Sequence, residues 1–353
     1  MNRRRVPNLG LDRFSAIYLW VVFIAVFGVW SPDEFLTKAT FQSIASSQSI
    51  AGVLAIAVLV PLACGQFDLS VGANANLTGI VVILLQTSQH WGVIESVVVS
   101  VLIGAAVGAL NGFVVVKLGV NSFIATLGMS SVLAAADIIV TNSQQPPPVS
   151  AAAWTEFTQT TVLGVQIVVV YLLVLGLLTW WFLAHTPAGR YLYATGGNSE
   201  AARLSGVRVG YWSWISLTIA GGIAGFGGVL FSSLTGPSLT FGATLLLPAF
   251  AAAFLGSTQL QPGRFNVWGT LIAIYVLATG VEGLQLVSGQ QWLSDMFNGV
   301  ALIAAVGLAV WRQRRTARRP SSAAQGSPAD PGTGDQGTGR AEAEVPQTAA
   351  QIP

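Results

Sequence analysis

The chain has 353 residues, 53% of them hydrophobic and only 8% charged, where a soluble domain carries about 25% charged residues. Its formal net charge of +2 says little about partners, because the positions of the charges matter more than their sum, and the single cysteine, Cys64, excludes an intrachain disulfide and a cysteine metal cluster. Several apolar runs exceed the ~18 residues that mark a membrane span, so an all-α integral membrane protein is expected.

Arg3, Arg4 and Arg5 precede an apolar run over 15–30, and Trp30-Ser31-Pro32-Asp33-Glu34 follows where a signal peptide would have small residues for cleavage. The run is therefore read as an uncleaved first span. The second covers about 44–64 and ends at Gly65-Gln66-Phe67-Asp68-Leu69-Ser70-Val71-Gly72, and the third follows to 85. Spans are then expected over 93–116 and 122–140. A Pro-rich interval, Gln144-Gln145-Pro146-Pro147-Pro148, cannot continue a helix. The sixth span is placed at 162–183. The remaining four are placed at 213–235, 242–256, 267–287 and 292–311. From 316 on, the chain is rich in Pro, Gly, Ala, Ser and Gln without apolar periodicity, which predicts a disordered tail over 316–353.

With residues 1–14 inside as a basic N-terminus, a ten-span membrane domain over 15–315 puts 15 of the 16 Lys and Arg residues on the inner side, leaving only Lys38 outside. Both termini and the 185–212 segment are then cytoplasmic. The outer segments carry Asp33, Glu34, Glu95, Glu156 and Asp295, an acidic face. Glu156 and Asp295 are candidates for docking a soluble receptor; the alternative is that acids remain outside simply because Lys and Arg are drawn in.

The 185–212 segment is the longest polar interval inside the apolar region. Asn198 or Ser199 can cap a helix start, Glu200 falls in its positive first turn, and Gly206 supplies a left-handed stop. About two turns of helix are too short to be stable alone in water, so the membrane domain or a partner must hold them.

Chemistry is sparse. There is no phosphate-binding loop, since neither Lys38 nor Lys117 follows a glycine, and His90 and His185 fall on opposite sides of the membrane. No catalytic residue, metal site or cofactor of its own is expected, nor any nucleic-acid partner. Asp68 lies in the break between spans two and three, near Gln66, Ser70, Asn74, Asn76 and Thr78. It either lines a cavity or caps the following helix. Asp137 and Glu282 sit late in outward-running spans, where a membrane acid is a functional candidate or simply reaches water. Asp68, Asn74, Asp137, Glu282 and Asn298 are the candidate pathway residues. Gly221, Gly222, Gly225, Gly227 and Gly228 give one span a smooth face for close helix packing.

Several stretches together resemble the ribose-type permease subunits of ABC importers. They are 65–72, above; Gly108-Ala109-Leu110-Asn111-Gly112 with Lys117-Leu118-Gly119-Val120; Phe123-Ile124-Ala125-Thr126-Leu127-Gly128; Gly189-Arg190 with Gly196-Gly197-Asn198 and Ala201-Ala202-Arg203-Leu204-Ser205-Gly206; and Gly256-Ser257-Thr258 with Gly263-Arg264. The resemblance implies a type II-like architecture and a bacterial-type inner-membrane location. It implies a passive pathway made by two such subunits as a homodimer, with ATP and magnesium bound by a separate ATPase and a small polar solute such as a sugar brought by an extracytoplasmic receptor. It also implies that Asn198, Ser199, Glu200, Ala201, Ala202, Arg203, Leu204, Ser205 and Gly206 form the coupling helix that docks on the ATPase. The chain departs from the family at Leu246 and Pro248, where an acidic pair is common, and at Ala134, Asp137 and Glu282. The competing class is a self-powered secondary transporter or channel, which would need an ion-coupling site among these few acids.

Overall fold

A computed structural model describes residues 11–162, 164–290 and 292–317. Arg3, Arg4, Arg5 and the expected tail of 316–353 lie outside the described residues, except that 316 and 317 belong to a helix. In chain order the elements are α1 (Leu11–Trp30), α2 (Pro32–Phe35), α3 (Lys38–Ala63), α4 (Val71–Thr87), α5 (Val93–Lys117), α6 (Ser122–Thr141) and α7 (Ala152–Gln159). A small antiparallel hairpin follows, β1 (Thr161–Val162) with β2 (Val165–Gln166). Then come α8 (Ile167–His185), α9 (Pro187–Gly197), α10 (Ser199–Leu204), α11 (Val209–Thr235), α12 (Phe241–Ser257), α13 (Val267–Ser288) and α14 (Trp292–Ala317). Each of the ten expected apolar segments contains a helix, but the sixth, expected from 162, starts only at Ile167 because the hairpin takes up its first residues. Six of these helices, α3, α5, α6, α8, α11 and α13, are long and apolar enough to cross a membrane; α4, α12 and the apolar parts of α1 and α14 are shorter.

Helix α3 is the axis of the bundle. Every residue from 53 to 60 is fully buried, so its sequence is apolar all the way round and carries no stripe. It begins earlier than expected because the Thr37 hydroxyl accepts from Thr40 N–H at 3.1 Å and caps it. It ends where Gly65 adopts φ +76°, with Gly65 N–H and Gln66 N–H closing on the carbonyls of Leu62 and Pro61.

Helix α11 packs against three helices through its glycines. Gly221 and Gly225 meet Gly104 and Gly108 of α5, Gly227 faces Leu54 of α3, and Gly228 lies on Ala75 and Thr78 of α4. Backbones this close leave no room for side chains.

Several elements were not expected, among them α2, the β1–β2 hairpin, α7 and α9. α7 is tied to the end of α11, where Ser233 Oγ donates to the Trp154 carbonyl at 2.6 Å and pairs with Thr158 at 2.8 Å. α9 starts with Thr186 as its cap, accepting from Gly189 N–H at 3.3 Å, and Pro187 in its first turn. At its far end, a Cβ on Gly196 would fall against the backbone of Ala63 and Gly65, so this glycine permits close packing on the end of α3.

Candidate functional site

The break between α3 and α4 is irregular backbone inside the bundle, and α6 supplies its partners. Phe67 N–H donates to Ser122 Oγ at 3.1 Å and Leu69 N–H to Thr126 Oγ1 at 3.0 Å. Asp68 does not reach the helix beyond. Its Oδ1 accepts from Ser70 N–H at 2.9 Å and from Ser70 Oγ at 2.6 Å, fixing the turn, while Ser70 itself occupies the capping position of α4. Asn111 of α5 completes the group by donating to Ser70 Oγ at 2.8 Å. The sequence allowed Asp68 to cap α4; these contacts instead tie it to Ser70 in the turn that precedes the helix.

One turn further along α4, Asn74 donates to the carbonyls of Gly104 and Gly221 at 3.1 and 3.3 Å. Next to it Asn76 spans two helices. Its Nδ2 donates to the Leu239 carbonyl, and its Oδ1 accepts from Gly242 N–H at 2.9 Å. Thr240, at the capping position of α12, makes no side-chain cap, so Asn76 caps α12 from another helix. Gly72 and Gly242 cross here with their backbones in contact. The starts of α4 and α12 therefore share one point, from which the two helices run in opposite directions. Asp137 of α6, 3% exposed, faces Asn76. Four buried oxygens in this sector, on Asn74, Ser100, Asn111 and Asp137, have no hydrogen-bond partner among the described residues.

The five candidate pathway residues thus fall into two groups. Asp68, Asn74 and Asp137 gather where α4, α5, α6 and α11 meet. Glu282 and Asn298, both half-buried, lie on α13 and α14, which pack against each other and α12. Asn76 and Asn111 belong to the first group, and their roles were not read from the sequence because their partners are far away along the chain.

At the end of the bundle where α11 begins, α10 stands out from the core. Asn198 Oδ1 accepts from Ala201 N–H at 3.0 Å, Glu200 pairs with Arg203 at 2.8 Å, and Gly206 takes φ +84°. Ala202 is buried and Leu204 is 84% exposed. Between α10, α9 and the end of α3 lies a cavity of about 320 Å³ lined by Gly65, Gln66, Thr195 and Ser199 among others. Tyr193, on α9, donates its hydroxyl to the Phe265 carbonyl at 2.6 Å, and the Arg264 guanidinium lies 3.6 Å over its ring. Burial raises the Tyr193 phenol above its ordinary value against the pull of Arg264, so it stays a donor at neutral pH. Glu156, on α7, and Asp295, at the start of α14, are both exposed at the opposite end of the bundle. Helix α11, 27 residues and about 40 Å long, separates the two ends.

A family profile described as branched-chain amino acid transport system / permease component matches residues 40–306. The chain belongs to that permease family. The ribose import permease protein of Escherichia coli is 31% identical over 315 residues, covering 86% of this chain and 95% of that one. The D-allose transport system permease protein of the same organism is 27% identical over 298 residues, covering 84% and 91%. The autoinducer 2 import system permease protein of Salmonella paratyphi B is 29% identical over 299 residues, covering 84% and 85%. No solved structure matches. The permease is thus a multi-pass membrane transport subunit, and the matched region takes in the α3–α4 break, the α4–α12 junction and α10.

Proposed function

We propose that this permease is the membrane subunit of an ATP-driven sugar importer. It crosses the bilayer ten times with both termini in the cytoplasm and pairs with a second copy of itself. A separate ATPase, which holds the ATP and magnesium, docks on residues 198–206, and an extracytoplasmic receptor delivers the solute at the face carrying Glu156 and Asp295. The permease itself catalyses no reaction and needs no cofactor. The observation that carries this reading is α10. A six-residue helix, capped at both ends, offers Leu204 to solvent at the end of the bundle that the distribution of Lys and Arg puts inside. An exposed apolar side chain on a pre-formed helix suits a groove on a partner. The unpaired oxygens around Asn74, Asn111 and Asp137 support a polar path, since each is an acceptor that a sugar hydroxyl could satisfy.

The test is uptake of D-ribose, D-allose and L-arabinose into proteoliposomes containing the permease with its ATPase and receptor. Uptake of at least one sugar is expected, and it should need all three components and ATP. Uptake by the permease alone, driven by an ion gradient, would replace this reading with a self-powered transporter.

A further inference from the structure

Helix α10 meets the rest of the chain through α9 and the start of α11. A second route leaves α9 at Tyr193. The Tyr193 hydroxyl and ring hold Phe265 and Arg264, which lie in the turn between α12 and α13. That turn is fastened to the last turn of α12. Asn266 Nδ2 donates to the carbonyls of Gly256 and Gln259, both at 3.1 Å, and the Phe265 ring packs edge-on against Phe254 of α12 at 5.5 Å. Gln259, 2% exposed, extends the same network to α1 by accepting from Ala16 N–H at 3.0 Å. The opposite end of α12 is the junction capped by Asn76 and faced by Asp137. Contacts therefore run without a gap from α10 through α9, Tyr193 and α12 to the polar sector of α4 and α6.

We propose that Tyr193 and Arg264 are positioning residues that pass the movement of α10 to α12, and through α12 to the α4–α12 junction. This rests on the reading of α10 as the ATPase-docking helix. Coupling between distant sites needs a packed connection that both sites can bias. Here α12 is that connection: it is anchored at each end by side chains of other helices, so a shift of the Arg264 turn moves Gly242 against Asn76 and Gly72. Pro248, halfway along, removes one helical hydrogen bond and gives α12 a place to bend. Tyr193 and Arg264 lie outside residues 198–206, so they should not be needed for ATPase binding.

The test follows the junction directly. Spin labels are placed at two exposed sites beside it, with Gln144→Cys and Thr240→Cys, after the buried Cys64 is replaced by alanine. The distance between labels is measured in the permease–ATPase complex with and without ATP. In the parent complex ATP should shift the distance distribution. Tyr193→Leu and Arg264→Gln should each co-purify with the ATPase and keep the ATP-free distance, while the ATP-shifted population falls about fivefold, the low end of ordinary allosteric coupling. Tyr193→Phe, which keeps the ring under Arg264 but loses the bond to Phe265, should fall between. Should Tyr193→Leu not fold, Arg264→Gln, at an exposed position, decides alone. An undiminished ATP shift in the variants overturns the proposal, as does a parent complex that hydrolyses ATP with no shift, or a loss of ATPase binding in step with the loss of shift. Failure of the ATPase to bind the parent permease is a different result. It removes the docking role of α10 and this inference with it.

Discussion

Asn76 does with one amide what would otherwise take a capping residue and a loop contact. Asn76→Ala leaves Gly242 N–H and the Leu239 carbonyl without their partner, and a buried polar group left unpaired costs about 1–3 kcal/mol. The variant should aggregate at a lower temperature in detergent, measured by a thermal-shift scan with size-exclusion readout. An unchanged midpoint would mean that water fills the place of the amide. Of these polar residues, the sequence exposed only the local part. The Asp68–Ser70 turn is two residues wide, although the sequence suggested a cap of α4 or a cavity wall there and not this turn. The partners of Asn74 lie 30 and 147 residues away, and those of Asn76 lie 163 and 166 away. No spacing rule connects such positions, so Asn76 stood in the sequence only as one polar residue among several near Asp68.

The helices themselves were legible because each is apolar for a stretch that only a buried or membrane-bound helix tolerates. The capped helix at α10 was legible too, from Asn198 and Gly206. α9 was not, since it lies inside the polar 185–212 interval and Gly196 serves close packing against Ala63 and Gly65, distant in the chain. The glycine face on α11 was expected to pack, though not against three helices at once. Gly221→Val would drive two methyl groups into Gly104 and Gly108. We expect little folded protein, seen as loss of the monodisperse peak after membrane extraction, whereas Gly222→Ala, facing only the Ala105 methyl at 3.6 Å, should be tolerated. The α10 prediction is of another kind. The Glu200–Arg203 pair is exposed on both sides and contributes little to stability. Glu200→Arg should leave the thermal midpoint of the permease alone while weakening co-purification of the ATPase, because it reverses a charge at the start of the proposed docking helix. Normal co-purification and transport would take residues 198–206 out of the interface.

Across the whole molecule, α7 and the start of α14 lie about 40 Å from α10 along α11. Glu156 and Asp295, exposed at that far end, carry negative charge to the proposed receptor face. Exposed charges act over about 8–10 Å at ordinary salt and chiefly speed encounter. Glu156→Gln with Asp295→Asn should slow receptor association and leave dissociation nearly unchanged, and added salt should slow the parent toward the variant. A flat salt dependence in the parent would make these acids a by-product of where Lys and Arg are retained. The shared start of α4 and α12 has a consequence for how the chain is made. Each of these helices has 17 residues, about 25 Å, short of the ~30 Å hydrocarbon layer. Asn76 meets Gly242 only 166 residues later in the chain. At the ~5–20 residues per second of ribosomal synthesis, the Asn76 amide must wait about ten to thirty seconds for its partners. The membrane insertion machinery must shelter it through that interval, and a ribosome stalled before residue 242 leaves behind a chain that cannot close its own centre.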